Sequence, residues 1–148
     1  MKFFGSAPLL AAIAFVLAPH GNAVSQELQL FGGQGHDVFL GCFDCSAYDS
    51  ESICNEYGAG NKYASAGIFN TYGSFGSSYS SSSPWNRYST SQDVPVLVDK
   101  QGGFYGYFTI NEFRADAVGF ASELAQMHDI ADGDLDVVQR LLCAALEQ

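Results

Sequence analysis

The chain has 148 residues, enough for one domain, and the 47% of them that are hydrophobic can form one modest core. Sixteen acidic residues against six Lys and Arg give a formal net charge of −10 at pH 7. Such a surface repels nucleic-acid phosphates and anionic lipid headgroups, so no nucleic-acid partner is expected, and neutral sugars, cations or basic proteins are favoured.

Residues 1–23 are predicted to be a secretory signal peptide. Lys2 supplies a positive charge, residues 7–17 form an apolar run, and small residues at 21–23 precede a cleavage site. The run is shorter than the roughly 20 apolar residues that a transmembrane helix needs, so no membrane span is expected. The sequence therefore predicts an exported protein, periplasmic or extracellular, whose mature domain is 24–148 and has a formal charge of −11.

Two segments are predicted to form related β-hairpins. Residues 28–43 and 94–109 each place apolar runs on both sides of a Gly-rich turn, and their second strands align residue by residue. We expect the two hairpins to pair into a small antiparallel sheet. Gly41 and Gly106 occupy the same strand position, which indicates a bulge or a place where another element crosses closely.

The mature chain contains four cysteines: Cys42, Cys45, Cys54 and Cys143. An even number of cysteines in an exported chain predicts disulfides, with three possible pairings. A bond from the Cys42 and Cys45 region to Cys143 would close a loop of about 100 residues and stabilise the fold by about 4 kcal/mol.

Two other uses of the cysteines are weaker. The spacing of Cys42 and Cys45 is that of a thiol-redox site, but such sites usually begin a helix, and a loop follows here. A zinc site could use Cys54 with His36 or His128, but the sequence has no second ligand pair at a standard spacing.

Residues 46–92 contain thirteen Ser, six Tyr and five Gly, with no Leu or Val, which is a composition typical of disorder. One phrase nevertheless occurs three times, as SICNEYG, GIFNTYG and SPWNRYS. A second half also aligns, 60–65 with 76–81. Because Asn hydrogen-bonds nearby backbone and favours tight turns, each phrase is predicted to form one coil of a short stack.

The fixed positions of these phrases are the candidate binding residues: Asn55, Tyr57, Asn70, Tyr72, Trp85, Asn86 and Tyr88. Together with Phe69, the rings would form an aromatic strip that binds sugar faces, with help from the Asn amides. The alternative is that the rings fill the only core that a Ser-rich segment can make.

The Leu-Gly-Cys-x-x-Cys strand end at 40–45, the three phrases and the strand at 103–109 resemble a family of exported bacterial proteins of unknown activity. That family shares an aliphatic-Gly-Cys-x-x-Cys strand end, tandem Ser-Ile-x-Asn-x-Tyr-Gly repeats and a closing Gly-x-Phe-Tyr-Gly-x-Phe/Leu-Thr strand. The resemblance covers residues 28–112. It implies that hairpin, repeats and hairpin form one unit, and it brings no assigned reaction or ligand.

Residues 112–147 are predicted to form a helical hairpin. Asn111 is a suitable N-cap, and apolar residues from Phe113 to Met127 recur at spacings of three and four. The acids of the following turn lack the spacing of a calcium loop and are explained as helix caps, so no metal site is expected. His128, at a helix end, is explained by the interaction of a cation with the helix dipole.

These elements predict an α+β fold, in which two related β-hairpins form a small antiparallel sheet around three stacked turn repeats, with a C-terminal αα-hairpin. The sequence contains no recognisable catalytic motif and no cofactor motif. His36, a possible catalytic residue by type, lies in a predicted hairpin turn. The leading interpretation is a non-enzymatic extracytoplasmic module that binds a glycan or a surface protein through the repeats. The alternatives are a thiol-redox enzyme using Cys42 and Cys45, and a cation-stabilised structural protein of the envelope.

Overall fold

The computed structural model describes residues 27–147, so the predicted signal peptide lies outside the described residues. The elements are β1 (Leu28–Gly32), β2 (Val38–Cys42), β3 (Val96–Asp99), β4 (Phe104–Tyr107), α1 (Ala121–Ile130) and α2 (Leu135–Leu146). A sheet, a long turn segment and a helical hairpin follow the order expected from the sequence, which confirms the α+β prediction. Within the described part of the chain, no helix has the length and apolar character needed to cross a membrane.

The sheet has four antiparallel strands in the order β2-β1-β3-β4. Each hairpin keeps its own two strands together, and the hairpins join along β1 and β3, where Leu30 lies opposite Leu97. Leu30 and Leu97 are buried in the main core. Because side chains alternate along a strand, Phe31 and Val96 lie on the other face of the sheet.

Both second strands bulge beside their glycine. The register between β1 and β2 shifts next to Gly41, and that between β3 and β4 shifts next to Gly106. The φ angles, +138° at Gly41 and +121° at Gly106, lie in a region that other residues rarely adopt. The bulges expected from the sequence are therefore present in both hairpins.

A later segment crosses each hairpin beside its glycine. Ser52 forms a parallel bridge with Cys42 in the first copy, and Ala117 forms one with Tyr107 in the second. The equivalence of the two hairpins therefore extends beyond their strands into the segments that follow them.

The glycines make room for these crossings. A Cβ atom on Gly41 would lie 2.7 Å from Cγ2 of Ile53, and one on Gly106 would lie 2.8 Å from the backbone nitrogen of Val118. A side chain can rotate away from a clash, whereas backbone held in a bridge cannot. Gly106 is therefore the less replaceable of the two.

Residues 46–92, which we call the turn segment, lie outside the helices and strands and form a run of successive turns. An N–H donates to the carbonyl three residues earlier, and this bond recurs at every third residue from Ser52 to Gly76. The N–H of Ser77 instead donates to the Gly73 carbonyl four residues earlier, and the three-residue bonds then run from Ser80 to Ser89. The extra residue at this step explains why the second and third phrases lie 16 residues apart, while the first and second lie 15 residues apart.

The first C-terminal helix starts later than the sequence predicts. It begins at Ala121, while residues 111–117 continue the three-residue turns and Phe113 is 92% exposed. The bridge between Ala117 and Tyr107 holds this stretch alongside β4, which is incompatible with a helix. The apolar spacing from Phe113 onward is therefore not a helix face.

The four cysteines form two disulfides, Cys42–Cys45 and Cys54–Cys143. The suggested bond between the Cys42 and Cys45 region and Cys143 is wrong, because the first pair closes on itself at the end of β2. Cys54–Cys143 spans a sequence separation of 89 and ties the turn segment to α2. Chain entropy makes a crosslink of this span worth about 4–5 kcal/mol.

Replacing Gly106 with Ala should lower the free energy of unfolding by about 2 kcal/mol or more, because φ is positive and the crossing backbone occupies the space. Urea unfolding measures the change. Gly119→Ala is the matched control, since its added Cβ would meet nothing within 4 Å. Equal stability of the two variants would contradict the crossing described here.

Candidate binding surface

Six tyrosines of the turn segment point into solvent: Tyr48, Tyr57, Tyr63, Tyr72, Tyr79 and Tyr88. Their exposed fractions lie between 81% and 97%, which is unusual for so large a side chain. Trp85 and Phe69 are each only 1% exposed. The structure thus separates the aromatic residues that the sequence grouped together, with the tyrosines outside and Trp85 and Phe69 in the core.

The direction of each tyrosine is set by the residue two positions before it. The Oδ1 atom of Asn70 accepts the N–H of Tyr72 at 3.0 Å, and Asn55 and Asn86 make the same bond. Asn61 does so for Tyr63 at 2.7 Å. Because the following turn fixes the backbone as well, the ring projects from a rigid base.

The side-chain amide nitrogens of the asparagines also form hydrogen bonds. The Nδ2 atoms of Asn55, Asn70 and Asn86 each donate to a carbonyl six residues earlier, at 2.9–3.1 Å. The acceptors are Asp49, Ala64 and Ser80. These three candidate residues are therefore engaged with the backbone and position the tyrosines, rather than offering free amides to a ligand.

The carbonyl at the second position of each phrase accepts a hydrogen bond from a distant part of the chain. The Ile53 carbonyl accepts from Nε2 of Gln139 at 2.9 Å, and the Ile68 carbonyl accepts from the indole Nε1–H of Trp85 at 2.5 Å. The Pro84 carbonyl accepts the N–H of Ile110 at 2.9 Å. The carbonyl at this position therefore has a different hydrogen-bond donor in each phrase. A partner is needed each time because a buried carbonyl without one is costly.

Four of the tyrosines form the walls of three adjoining clefts. Tyr48 and Tyr57 flank a cleft of about 370 Å³. Tyr57 and Tyr63 flank one of about 230 Å³, and Tyr63 and Tyr72 flank one of about 210 Å³. Because neighbouring clefts share a ring as their common wall, we call these four tyrosines and the clefts between them the tyrosine surface.

A separate cleft of about 520 Å³ lies between Tyr79 and Tyr88, where His128 and Trp85 line the interior. The His128 ring stacks on Trp85 with the ring centroids 6.0 Å apart. Burial, and then the nearby charge of Arg87, lower the pKa of His128 below its ordinary value. The neutral imidazole is therefore favoured, although His128 does lie in the last turn of α1, as the sequence interpretation requires.

The turn segment has only two basic residues, Lys62 and Arg87, within 46–92. Each pairs with an acid of the helical hairpin, Lys62 with Asp136 at 2.9 Å and Arg87 with Asp129 at 2.6 Å. The hydrogen bond from Lys62 to Asp136 raises the pKa of that amine, which keeps it charged. Both cations near the clefts are thus neutralised by partners from the same chain.

Sequence reasoning missed one further exposed ring. The Asn111 Oδ1 accepts the N–H of Phe113 at 3.3 Å, as in the tyrosine turns. The equivalent position after the first hairpin is held by Ser46, whose hydroxyl oxygen accepts the N–H of Tyr48 at 3.3 Å. The signal was a turn-forming residue two positions before an aromatic one, at the same distance after each hairpin.

The cysteines offer no thiolate for metal binding. Cys42 and Cys45 lie with Glu27 in a group whose ligand atoms are within 4.8 Å of one another, but the two sulfurs are bonded to each other. Cys54, the candidate zinc ligand, is bonded to Cys143. All cysteines in residues 27–147 are oxidised.

Comparisons with known proteins do not supply a family. No protein-family model, no curated protein and no solved structure matches the chain. Its function is therefore inferred from the described residues.

Replacing Asn70 with Ala should lower the free energy of unfolding by about 1–3 kcal/mol, because two hydrogen bonds are lost at once. Asn70→Asp, which keeps the acceptor and loses the donor, should have a smaller effect. Thr71→Ala changes the exposed neighbour and is the control. Urea unfolding of the three variants tests the expectation, and an Asn70→Ala protein as stable as Thr71→Ala would refute it.

Stability should fall as the pH drops below about 6.5, the ordinary pKa of His128, towards its lower value in the folded state. In this window the unfolded chain binds a proton that the folded chain resists. The thermal midpoint of His128→Gln should therefore change less between pH 7 and pH 5 than that of the wild type. The same pH dependence in both proteins would show that His128 does not carry the effect.

Proposed function

We propose that this protein is an exported, non-enzymatic module that binds a neutral glycan along its tyrosine surface. The observation that carries the proposal is the set of nearly fully exposed tyrosine rings, each held by a fixed turn and separated from the next by a cleft. A folded protein does not gain stability from rings left in water, so another reason for their placement is needed.

Tyrosine suits a sugar because both are amphipathic. The ring has an apolar face and a hydroxyl at its tip, while a pyranose has an apolar C–H face and hydroxyls at its rim. Tyrosine also loses little side-chain entropy on binding, since it has only two χ angles. With the Tyr57 and Tyr72 backbones already fixed by Asn55 and Asn70, less ordering remains to oppose binding.

The repetition of the clefts favours a polymer. Three adjoining clefts share tyrosine walls, so a chain of sugars can occupy several at once. Contacts along one chain add to its affinity without a new entropic cost of association for each unit. A short sugar would fill one cleft and bind weakly.

The charges favour a ligand without charge. The chain carries a formal charge of −10, and Lys62 is paired with Asp136 beside the clefts. An anionic polysaccharide would meet acidic groups and no unpaired Lys or Arg within the turn segment of 46–92.

Export is supported by two independent features. The N-terminal 23 residues have the pattern of a signal peptide. The four cysteines form two disulfides, which persist in oxidising compartments. The thiol-redox alternative has less support, because the Cys42–Cys45 bond lies at the end of a strand, where no helix dipole lowers a thiol pKa.

Binding of the disulfide-intact mature protein to insoluble cellulose, chitin and β-1,3-glucan is the first test, followed by calorimetry with oligosaccharides of any polymer that is bound. Affinity should rise from disaccharide to hexasaccharide. Tyr57→Ala and Tyr63→Ala should each weaken binding about tenfold, the scale of a lost ring contact. Tyr57→Phe, which keeps the ring, should lose less.

Phe113→Ala is the matched control, because it removes an exposed ring outside the tyrosine surface. An equal loss in Phe113→Ala and Tyr57→Ala would contradict the proposed site. Binding to anionic polysaccharides alone, or to none of the polymers, would contradict the ligand class.

A further inference from the structure

A pocket of about 370 Å³ lies on the outer face of the sheet, away from the main core. Its lining residues are Phe31, His36, Val96, Val98, Gly102, Phe104 and Tyr107. The outer face of an antiparallel sheet usually carries polar side chains that meet water. Here Val96 and Tyr107 are instead buried in a second, smaller apolar cluster.

One wall of the pocket is His36, which the turn between β1 and β2 holds in an uncommon conformation. Its φ is +54°, in the left-handed region that few non-glycine residues adopt, and Gly33 and Gly35 beside it also have positive φ. The imidazole contacts the Tyr107 ring edge-on, with the centroids 5.7 Å apart. The backbone of His36 is therefore strained, and its side chain lines the pocket.

The His36 side chain also has an unsatisfied polar atom. Its Nε2 is buried without a hydrogen-bond partner in the described residues. A buried nitrogen left unpaired is costly, so it indicates a missing partner. The His36 side chain lines the pocket, so a ligand there can supply that partner once the imidazole turns its Nε2 towards it.

The wall that Tyr107 forms beside the strained turn is rigid. The guanidinium of Arg114 lies over the Tyr107 ring, 3.5 Å from its centroid. Arg114 is itself held by Asp116 at 2.8 Å and by the Ser91 carbonyl at 2.8 Å. Tyr107 is therefore fixed from behind, which gives the pocket a stable shape before any ligand arrives.

We propose that this pocket binds a small, uncharged molecule that has an aromatic or alicyclic ring and one hydroxyl or carbonyl group to pair with His36. The volume lies within the range of small-molecule sites, and the lining residues are aromatic or aliphatic apart from His36 and Gly102. No Asp, Glu, Lys or Arg lines the pocket, so a charged ligand would lose its hydration without gaining a partner. The site does not depend on the tyrosine surface or on its glycan.

The test uses 2-naphthol as the probe, with naphthalene as its hydroxyl-free match and 2-naphthoate as its charged match. Amide chemical shifts of the ¹⁵N-labelled, disulfide-intact protein are followed during titration. We expect 2-naphthol to shift the amides of Phe31, Val98 and Gly102 saturably. Naphthalene should bind about tenfold more weakly, and 2-naphthoate should not reach saturation.

Two kinds of variant separate the polar contact from the cavity. His36→Phe keeps a ring and removes the nitrogen, so 2-naphthol should bind it no better than naphthalene does. His36→Gly fits the left-handed turn and gives the same comparison if the Phe variant fails to fold. Val98→Trp fills the pocket and should abolish binding of both probes.

Equal affinity of the wild type for 2-naphthol and naphthalene would overturn the proposal, as would unchanged binding in Val98→Trp. Shifts spread over the exposed tyrosines rather than the pocket would overturn it as well. Failure of every glycan to bind leaves these outcomes unaffected, because the two ligands use different faces of the molecule.

Discussion

The fold depends on a local hydrogen bond from a backbone N–H to the side-chain oxygen two residues earlier. In the turn segment this bond, made for example by Asn70 to Tyr72, combines with a backbone bond across three residues. Each turn then satisfies its own polar groups, so the segment needs neither a helix nor a neighbouring strand. A Ser- and Asn-rich composition is typical of disordered segments. Here the Ser and Asn side chains form the hydrogen bonds that order the chain. Buried side chains such as Ile53, Ile68 and Trp85 then join the coils to the core.

The sequence predicts the parts of this fold that follow from local rules. The hairpins, the equivalence of Gly41 and Gly106 and the C-terminal helical pair are all visible as patterns. The helix start is not, because the apolar spacing from Phe113 fits a helix, while a bridge between Ala117 and Tyr107 holds this stretch as successive turns alongside β4. That bridge depends on the position of β4, which the spacing of apolar residues within 112–120 does not report.

The candidate site is predictable in its residue types and less so in their roles. The recurrence of Asn and Tyr marks equivalent turns, but it does not show which side of each coil faces water. Two residues lie between the hydrogen-bonded residues of each turn. Whether the side chains of these two residues are buried depends on where the turn lies in the coil. Trp85 therefore falls inside and Tyr88 outside, although they are three residues apart. The Asn side chains of Asn55 and Asn86 are engaged with the backbone, a use that residue type alone does not distinguish from ligand binding.

The buried carbonyls of the coils give the stack a defined beginning and end. Ile68 is capped by Trp85 of the next coil, whereas Ile53 at one end is capped by Gln139 from α2, and Pro84 at the other by Ile110 after β4. The donor to Pro84 comes from outside the stack, so a coil added after the third would find no free carbonyl at this position. The number of coils is therefore set within the chain itself. A longer array would need the Pro84 carbonyl released from Ile110 and a new closing segment after the added coil.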